Sequence, residues 1–113
     1  MDTQERTDTD TTTKAYPASL VGEHCVVRTH SAGVHLGEVI AQDGKQVTLK
    51  DARRLWRWFG AFTLNEVALT GISNKGSNKS RIAEPVPIIV LTEATELIPT
   101  SIAARATFDA CHE

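Results

Sequence analysis

"VHLGEVIAQDGKQVTLKDARRLWRWFGAFTLNEVAL", residues 34–69, decides the fold, because two periodicities meet within it. From 34 to 50 apolar residues alternate, which is the period of a strand. Val34, Leu36 and Ile40 fall on one face and His35, Gly37 and Val39 on the other. After the turn signal Asp43-Gly44, Val47 and Leu49 point inward again. Residues 54–59 continue as a fourth strand that ends at Gly60. Beyond Gly60 the spacing changes. Thr63 followed by Glu66 forms a capping box, Leu64, Val67 and Ala68 make one stripe, and Gly71 supplies a stop. That is a short helix. Strands followed by a helix predict an α+β domain.

Working outward, "EHCVVRT" (23–29) is β-branched and reads as the strand before 34–41, with "HSAG" as the turn between them. Gly37 inside a strand predicts a bulge or a close backbone approach. Downstream, "SNKGSNKS" (73–80) is expected to be a mobile basic loop, "VPIIVL" (86–91) a buried strand, and "ATELI" (94–98) its extension or neighbour. "TSIAARATF" (100–108) predicts a terminal helix capped by Thr100 or Ser101. The expected whole is a small antiparallel β-sheet with two short helices in a single domain, residues 19–113. Residues 1–18, rich in Thr and Asp and nearly devoid of apolar side chains, are expected to form a disordered tail.

The chain has 113 residues and a formal net charge of −2, which argues against a general DNA- or RNA-binding protein. Its longest apolar run is too short to cross a bilayer. Cys25 and Cys111 match no zinc or redox spacing, so a reducing cytoplasm is the default. His24, His30, His35 and Cys25 fit no ligand pattern, and neither a metal nor a cofactor is expected. No nucleophile signature or paired carboxylates stand out, so the chain is not expected to be an enzyme. Glu93 and Glu96 lie three apart and could flank a site, although at a strand boundary such charges are usually solvated.

Four of the six aromatic residues and three arginines fall between 51 and 62. Strict alternation would put Arg54, Trp56 and Trp58 on one face and Arg53, Leu55, Arg57 and Phe59 on the other. Two readings remain open from these residues. In one, the tryptophans fill the core and the arginines stack at its rim. In the other, the segment is a platform where an aromatic face gives a nucleobase roughly 1–3 kcal/mol of stacking and a guanidinium holds phosphate. Ser31 with the backbone of Ala32-Gly33 offers a small anion-binding concavity, although an ordinary turn explains it as well. Asn74 and Asn78, among Lys75, Lys79 and Arg81, could reach ribose hydroxyls from their loop.

"VRTHSAGVHLGEV" (27–39), "KDARRLWRWFGAFTLNEVAL" (50–69) and "VPIIVLTEATELIP" (86–99) together resemble small phage proteins of the first Thoeris anti-defence type. The resemblance spans Cys25 to Pro99. Its most specific parts are the S-A-G-V-H-x-G run at 31–37 and the A-R-R-x-W-x-W-x-G-A run at 52–61. It implies a sponge that binds a cyclic ADP-ribose isomer made by a bacterial immune sensor, keeps it intact, and acts in the cytoplasm of the infected host. It implies a homo-oligomer, a dimer or a trimer of dimers, with pockets where subunits meet. Cyclic oligonucleotides are implied as further ligands at separate sites, and no membrane or nucleic-acid polymer as a partner. On this chain the resemblance assigns ligand contact to Arg53, Arg54, Trp56, Trp58 and Phe62, with Arg28 at the second type of site. Ser31 and Asn74 complete the candidate set. His30 and Arg57 depart from the family pattern, which has tyrosine and an aromatic there. A structural or protein-interaction module is the alternative, and an enzyme that cleaves the signal comes third.

Overall fold

The computed structural model describes residues 19–113, and the expected disordered tail at 1–18 lies outside the described residues. Alternating apolar residues carry the chain through three antiparallel strands, β1 (His24–Thr29), β2 (Val34–Asp43) and β3 (Gln46–Arg57). β1 is buried on both faces. Val26 joins one core cluster while Cys25 and Val27 join another, as the pleat requires.

The expected third and fourth strands are one. β3 runs unbroken through Asp51, the only non-glycine among the described residues with positive φ (52°). Asp tolerates that left-handed geometry better than most residues. Its effect is a change of parity. Val47, Leu49 and Ala52 all face the second cluster, whereas Leu55 faces the first.

β2 is bent by two register shifts against β3, between Leu36 and Glu38 and between Val39 and Ala41. Gly37 lies in the first shift. A Cβ there would meet Lys50 O at 3.1 Å and the Ala52 Cα at 3.3 Å, so both halves of the expectation for Gly37 hold. Ile40 sits in the second shift and is exposed, not inward as simple alternation suggested. The bend brings both ends of β2 to one short segment. Glu93 O accepts from His30 N (3.0 Å) beside the β1–β2 turn, while Ala94 N donates to Lys45 O (3.0 Å) beside the β2–β3 turn. The sheet is therefore strongly coiled.

Three further two-residue strands follow the first helix: β4 (Asn74–Lys75) and β5 (Asn78–Lys79), which form a separate hairpin, and β6 (Arg81–Ile82). The segment expected to be a loop thus carries ladder pairing. β7 (Val86–Leu91) and β8 (Ala94–Pro99) complete the main sheet in the order β6–β3–β2–β1–β8, with β7 also on β3. β7 is not the fully buried strand that its composition suggests. Leu91 is buried, but Val86, Ile88 and Val90 are 43%, 53% and 49% exposed. Among the described residues it pairs only with β3 and sets one face against a core cluster, and Pro87, which has no N–H to donate, suits such an edge.

Two helices cover the other face. α1 (Leu64–Thr70) starts at the expected capping box, with Glu66 N donating to Thr63 Oγ1 at 3.2 Å. α2 (Ile102–Asp109) is capped by Ser101, whose hydroxyl also donates to Leu69 O (2.7 Å) and ties the helices together. Gly71 ends α1 at φ 86°, where a Cβ would collide with the Thr107 side chain. Val67, Ala68, Ala104 and Phe108 pack on Val26, Leu36, Leu55 and Ile82. The second cluster, with Val39, Val47, Leu49 and Leu91, fills the inside of the coil. The result is a compact single α+β domain, an antiparallel six-stranded sheet with two short helices. No helix among the described residues is long and apolar enough to cross a membrane.

Candidate functional site

β3 ends at Arg57, and its pairing with β6 shifts between Leu55 and Arg57. Strict alternation therefore fails where it mattered most. Trp56 stays on the outer side, 52% exposed, while Trp58 turns to pack against the helix-side cluster. The two tryptophans do not share a face. Arg57 lies over the Phe59 ring, 5.4 Å from its centroid, which is the rim stacking anticipated for this segment.

Trp58 forms one wall of an open cavity of about 470 Å³, between the end of β3, the start of α1 and strands β1 and β8. Phe62, Val34 and Leu64 give its apolar lining, and Arg28, Thr63, Asn65 and Glu96 its polar lining. Phe62 is 97% exposed, yet its backbone is held, because Glu66 Oε1 accepts from Phe62 N at 2.6 Å within the α1 cap. A helix cap thus presents a bare aromatic ring at the mouth of the cavity.

Arg28 and Glu96 face each other across the β1–β8 ladder, with Arg28 Nη1 4.0 Å from Glu96 Oε1. The same two side chains line a second, polar cavity of about 360 Å³ with Thr29, His30 and Thr95. They form the ridge between an aromatic end and a hydroxyl-rich end. The resemblance placed Arg28 at a site of its own. The geometry brings it together with Trp58 and Phe62.

The other candidates lie elsewhere. Arg53 gives four of its five donors to main-chain carbonyls: Nε to Ala83 O (2.8 Å), Nη1 to Phe108 O (3.2 Å), and Nη2 to Ile82 O (3.4 Å) and Cys111 O (3.1 Å). It fastens the end of α2 to the sheet, which leaves little of the guanidinium for a phosphate. Asn74 donates from Nδ2 to Ala110 O at 2.6 Å and anchors the β4–β5 hairpin in the same way. Ser31 Oγ donates to Glu93 Oε1 at 2.7 Å, and Ala32 N donates to Thr29 Oγ1 at 2.8 Å. The supposed anion concavity is thus closed on itself with a carboxylate at its lip. Arg54 is exposed, opposite His35 in the β2–β3 register and beside Gly33.

Burial disfavours the charged forms of three titratable groups on β1 and β2. Burial chiefly lowers the His35 pKa. A hydrogen bond to Ala32 O (2.9 Å) works in the opposite direction, and Arg54 adds to the lowering. A carbonyl only accepts, so Nε2 carries the proton. Burial also lowers His24, helped by Arg105 and opposed by Asp109 and Glu38. Cys25 is pushed up to about 11, first by burial and then by Glu23.

Sequence reasoning missed Val34, Leu64, Thr63 and Asn65 as cavity residues, and it set Glu96 aside as a solvated charge at a strand boundary. A family model described as a domain of unknown function, DUF6948, matches residues 22–108. That span contains β1 to β8, α1, nearly all of α2 and every residue of the two cavities. No curated protein and no solved structure matches the chain.

Proposed function

The chain belongs to the DUF6948 family, a domain of unknown function, and we propose that it is a non-enzymatic binder that captures a cyclic ADP-ribose isomer and holds it uncleaved. One observation carries this reading. Arg28, far away in sequence, lines a single cavity with Trp58 and Phe62, whose nearly bare aromatic ring stands at its mouth. A purine needs a stacking face and a pyrophosphate needs a guanidinium, and this cavity offers both within one volume.

The cavity lies within the size range of small-molecule sites but is open. Nanomolar retention requires about 12 kcal/mol, which is hard to collect on an open surface. In the proposed assembly a second copy closes the cavity, and a two-fold dimer, alone or within a trimer of dimers, presents two equal pockets. The setting is the cytoplasm of an infected bacterium, where trapping the signal keeps a suicide effector inactive. Cyclic oligonucleotides are further ligands in this proposal.

Calorimetry with the cyclic ADP-ribose isomers tests it. At least one isomer binds the unaltered protein, and Phe62→Ala and Arg28→Ala each weaken it by about ten-fold or more without loss of fold. Absence of heat with every isomer, from protein with an intact cooperative melt, rejects the proposal.

A second reading rests on the exposed Val86, Ile88 and Val90 of β7, an apolar row beside Lys50 of β3 suited to contact with another polypeptide. In that case Ile88→Glu alters assembly, and no nucleotide affects any property of the protein.

A further inference from the structure

Arg28 and Glu96 are set on neighbouring strands, and Thr95 Oγ1 donates to Arg28 O (3.1 Å), which ties the two backbones at that point. Unlike Arg53, Ser31 or Glu93, neither side chain hydrogen-bonds to any described residue, and the 4.0 Å between them is too long for a hydrogen bond. Arg28 is 62% and Glu96 47% exposed, so both remain open to a ligand. A carboxylate here is awkward for a cavity that takes phosphate. Ionised, it only accepts, and it repels an anion brought to Arg28. It fits a ligand that offers hydroxyl donors beside its phosphate. A carboxylate is the group that accepts from ribose hydroxyls in dinucleotide sites.

We infer that Glu96 is the specificity-determining residue of this cavity, accepting from the hydroxyls of the ribose joined to the base that stacks between Trp58 and Phe62. The order along the groove follows. The aromatic end takes the base, the ridge reads the sugar through Glu96, and Arg28 receives the phosphate that the sugar carries. Ligands that lack the sugar hydroxyls leave Glu96 facing the phosphate with nothing to accept. This rests on the nucleotide-binding reading given above and deepens it.

The test compares ADP with 2′,3′-dideoxy-ADP, which share a base and phosphates and differ in two hydroxyls. Both are titrated by calorimetry into the full chain and into Glu96→Ala and Phe62→Ala, with thermal melts to confirm folding. The unaltered protein should prefer ADP by about ten-fold or more, as expected where a site hydrogen-bonds a hydroxyl. Glu96→Ala should abolish the preference by weakening ADP while dideoxy-ADP binds as before or more tightly. Phe62→Ala should weaken both equally. If both nucleotides bind, with dependence on Phe62, but Glu96→Ala leaves their ratio unchanged, the Glu96 assignment fails and the binding reading stands. If a cyclic ADP-ribose isomer binds and ADP does not, the assignment also fails, because the ridge does not then read a base-linked ribose. If no nucleotide binds at all, the underlying reading fails and this inference with it.

Discussion

Arg53 and Arg28 put the same side chain to opposite uses. Around Arg53 the protein satisfies itself. The guanidinium ties Ala83, Ile82, Phe108 and Cys111, and Asn74 fastens the adjoining hairpin to Ala110. Around Arg28 the guanidinium only faces the Glu96 carboxylate at 4.0 Å, and neither side chain hydrogen-bonds to a described residue, beside a Phe62 ring that is 97% exposed. A region that consumes its own hydrogen bonds holds a fold together. A region that leaves them available is where a ligand gains most, because those groups can form bonds without first breaking any within the protein.

The largest expected effect would break this contrast if it failed. Arg53→Ala should cost about 3 kcal/mol in denaturant unfolding, since it strands carbonyls that its charge now satisfies. Arg28→Ala should stay within about 0.5 kcal/mol. Equal losses would mean that the two arginines do the same work.

The aromatic pair divides the same way. Trp58→Ala removes a side chain packed on the helix cluster and should lower stability by about 2 kcal/mol, whereas Phe62→Ala should change it by less than about 0.5 kcal/mol. Thr63→Ala lies between them, costing about 1 kcal/mol through the lost cap. Because the cap holds Phe62, it should also weaken ligand binding, with the unbound melt and the ligand titration read separately.

A smaller effect concerns pH. His35 and His24 have folded pKa values below their ordinary 6.5. The unfolded chain therefore binds protons that the folded one refuses, and stability falls as pH is lowered from about 6.5 toward the folded values. Above that window these groups contribute no pH dependence. Urea unfolding in steps from pH 7.5 to 5 should show the loss, and a flat profile would contradict the lowered pKa values of these rings. Smallest of all, Cys25, with its thiol pushed up to about 11, should be inert to a thiol reagent in the native protein at pH 7.5 and react on unfolding.

Much of the fold was legible because alternation and caps are local. β1, β2, the hairpin at Asp43-Gly44, the Thr63 cap and the Gly71 stop all follow from neighbours in sequence. What was not legible depended on events between strands. Nothing local to Asp51 reveals that it adopts positive φ and reverses the parity of β3, so Arg53 and Arg54 could not be sorted into their roles. The shift after Leu55 separated Trp56 from Trp58 for the same reason. The apolar residues of "VPIIVL" read alike whether one face or both are covered; Pro87 was the one local sign of an edge, and the pairing among the described residues agrees with it. Within the candidate site, Trp58 and Phe62 stood out by residue type. Glu96 did not, because a carboxylate becomes informative only once the register sets it beside Arg28.

Recovery of the trapped molecule decides between capture and cleavage. Incubate the protein with each cyclic ADP-ribose isomer, remove free ligand, denature by heat, and determine the mass and amount of what is released. One isomer should return intact, at no more than one molecule per pocket. Release of cleaved fragments, or of nothing from every incubation, would contradict capture without cleavage.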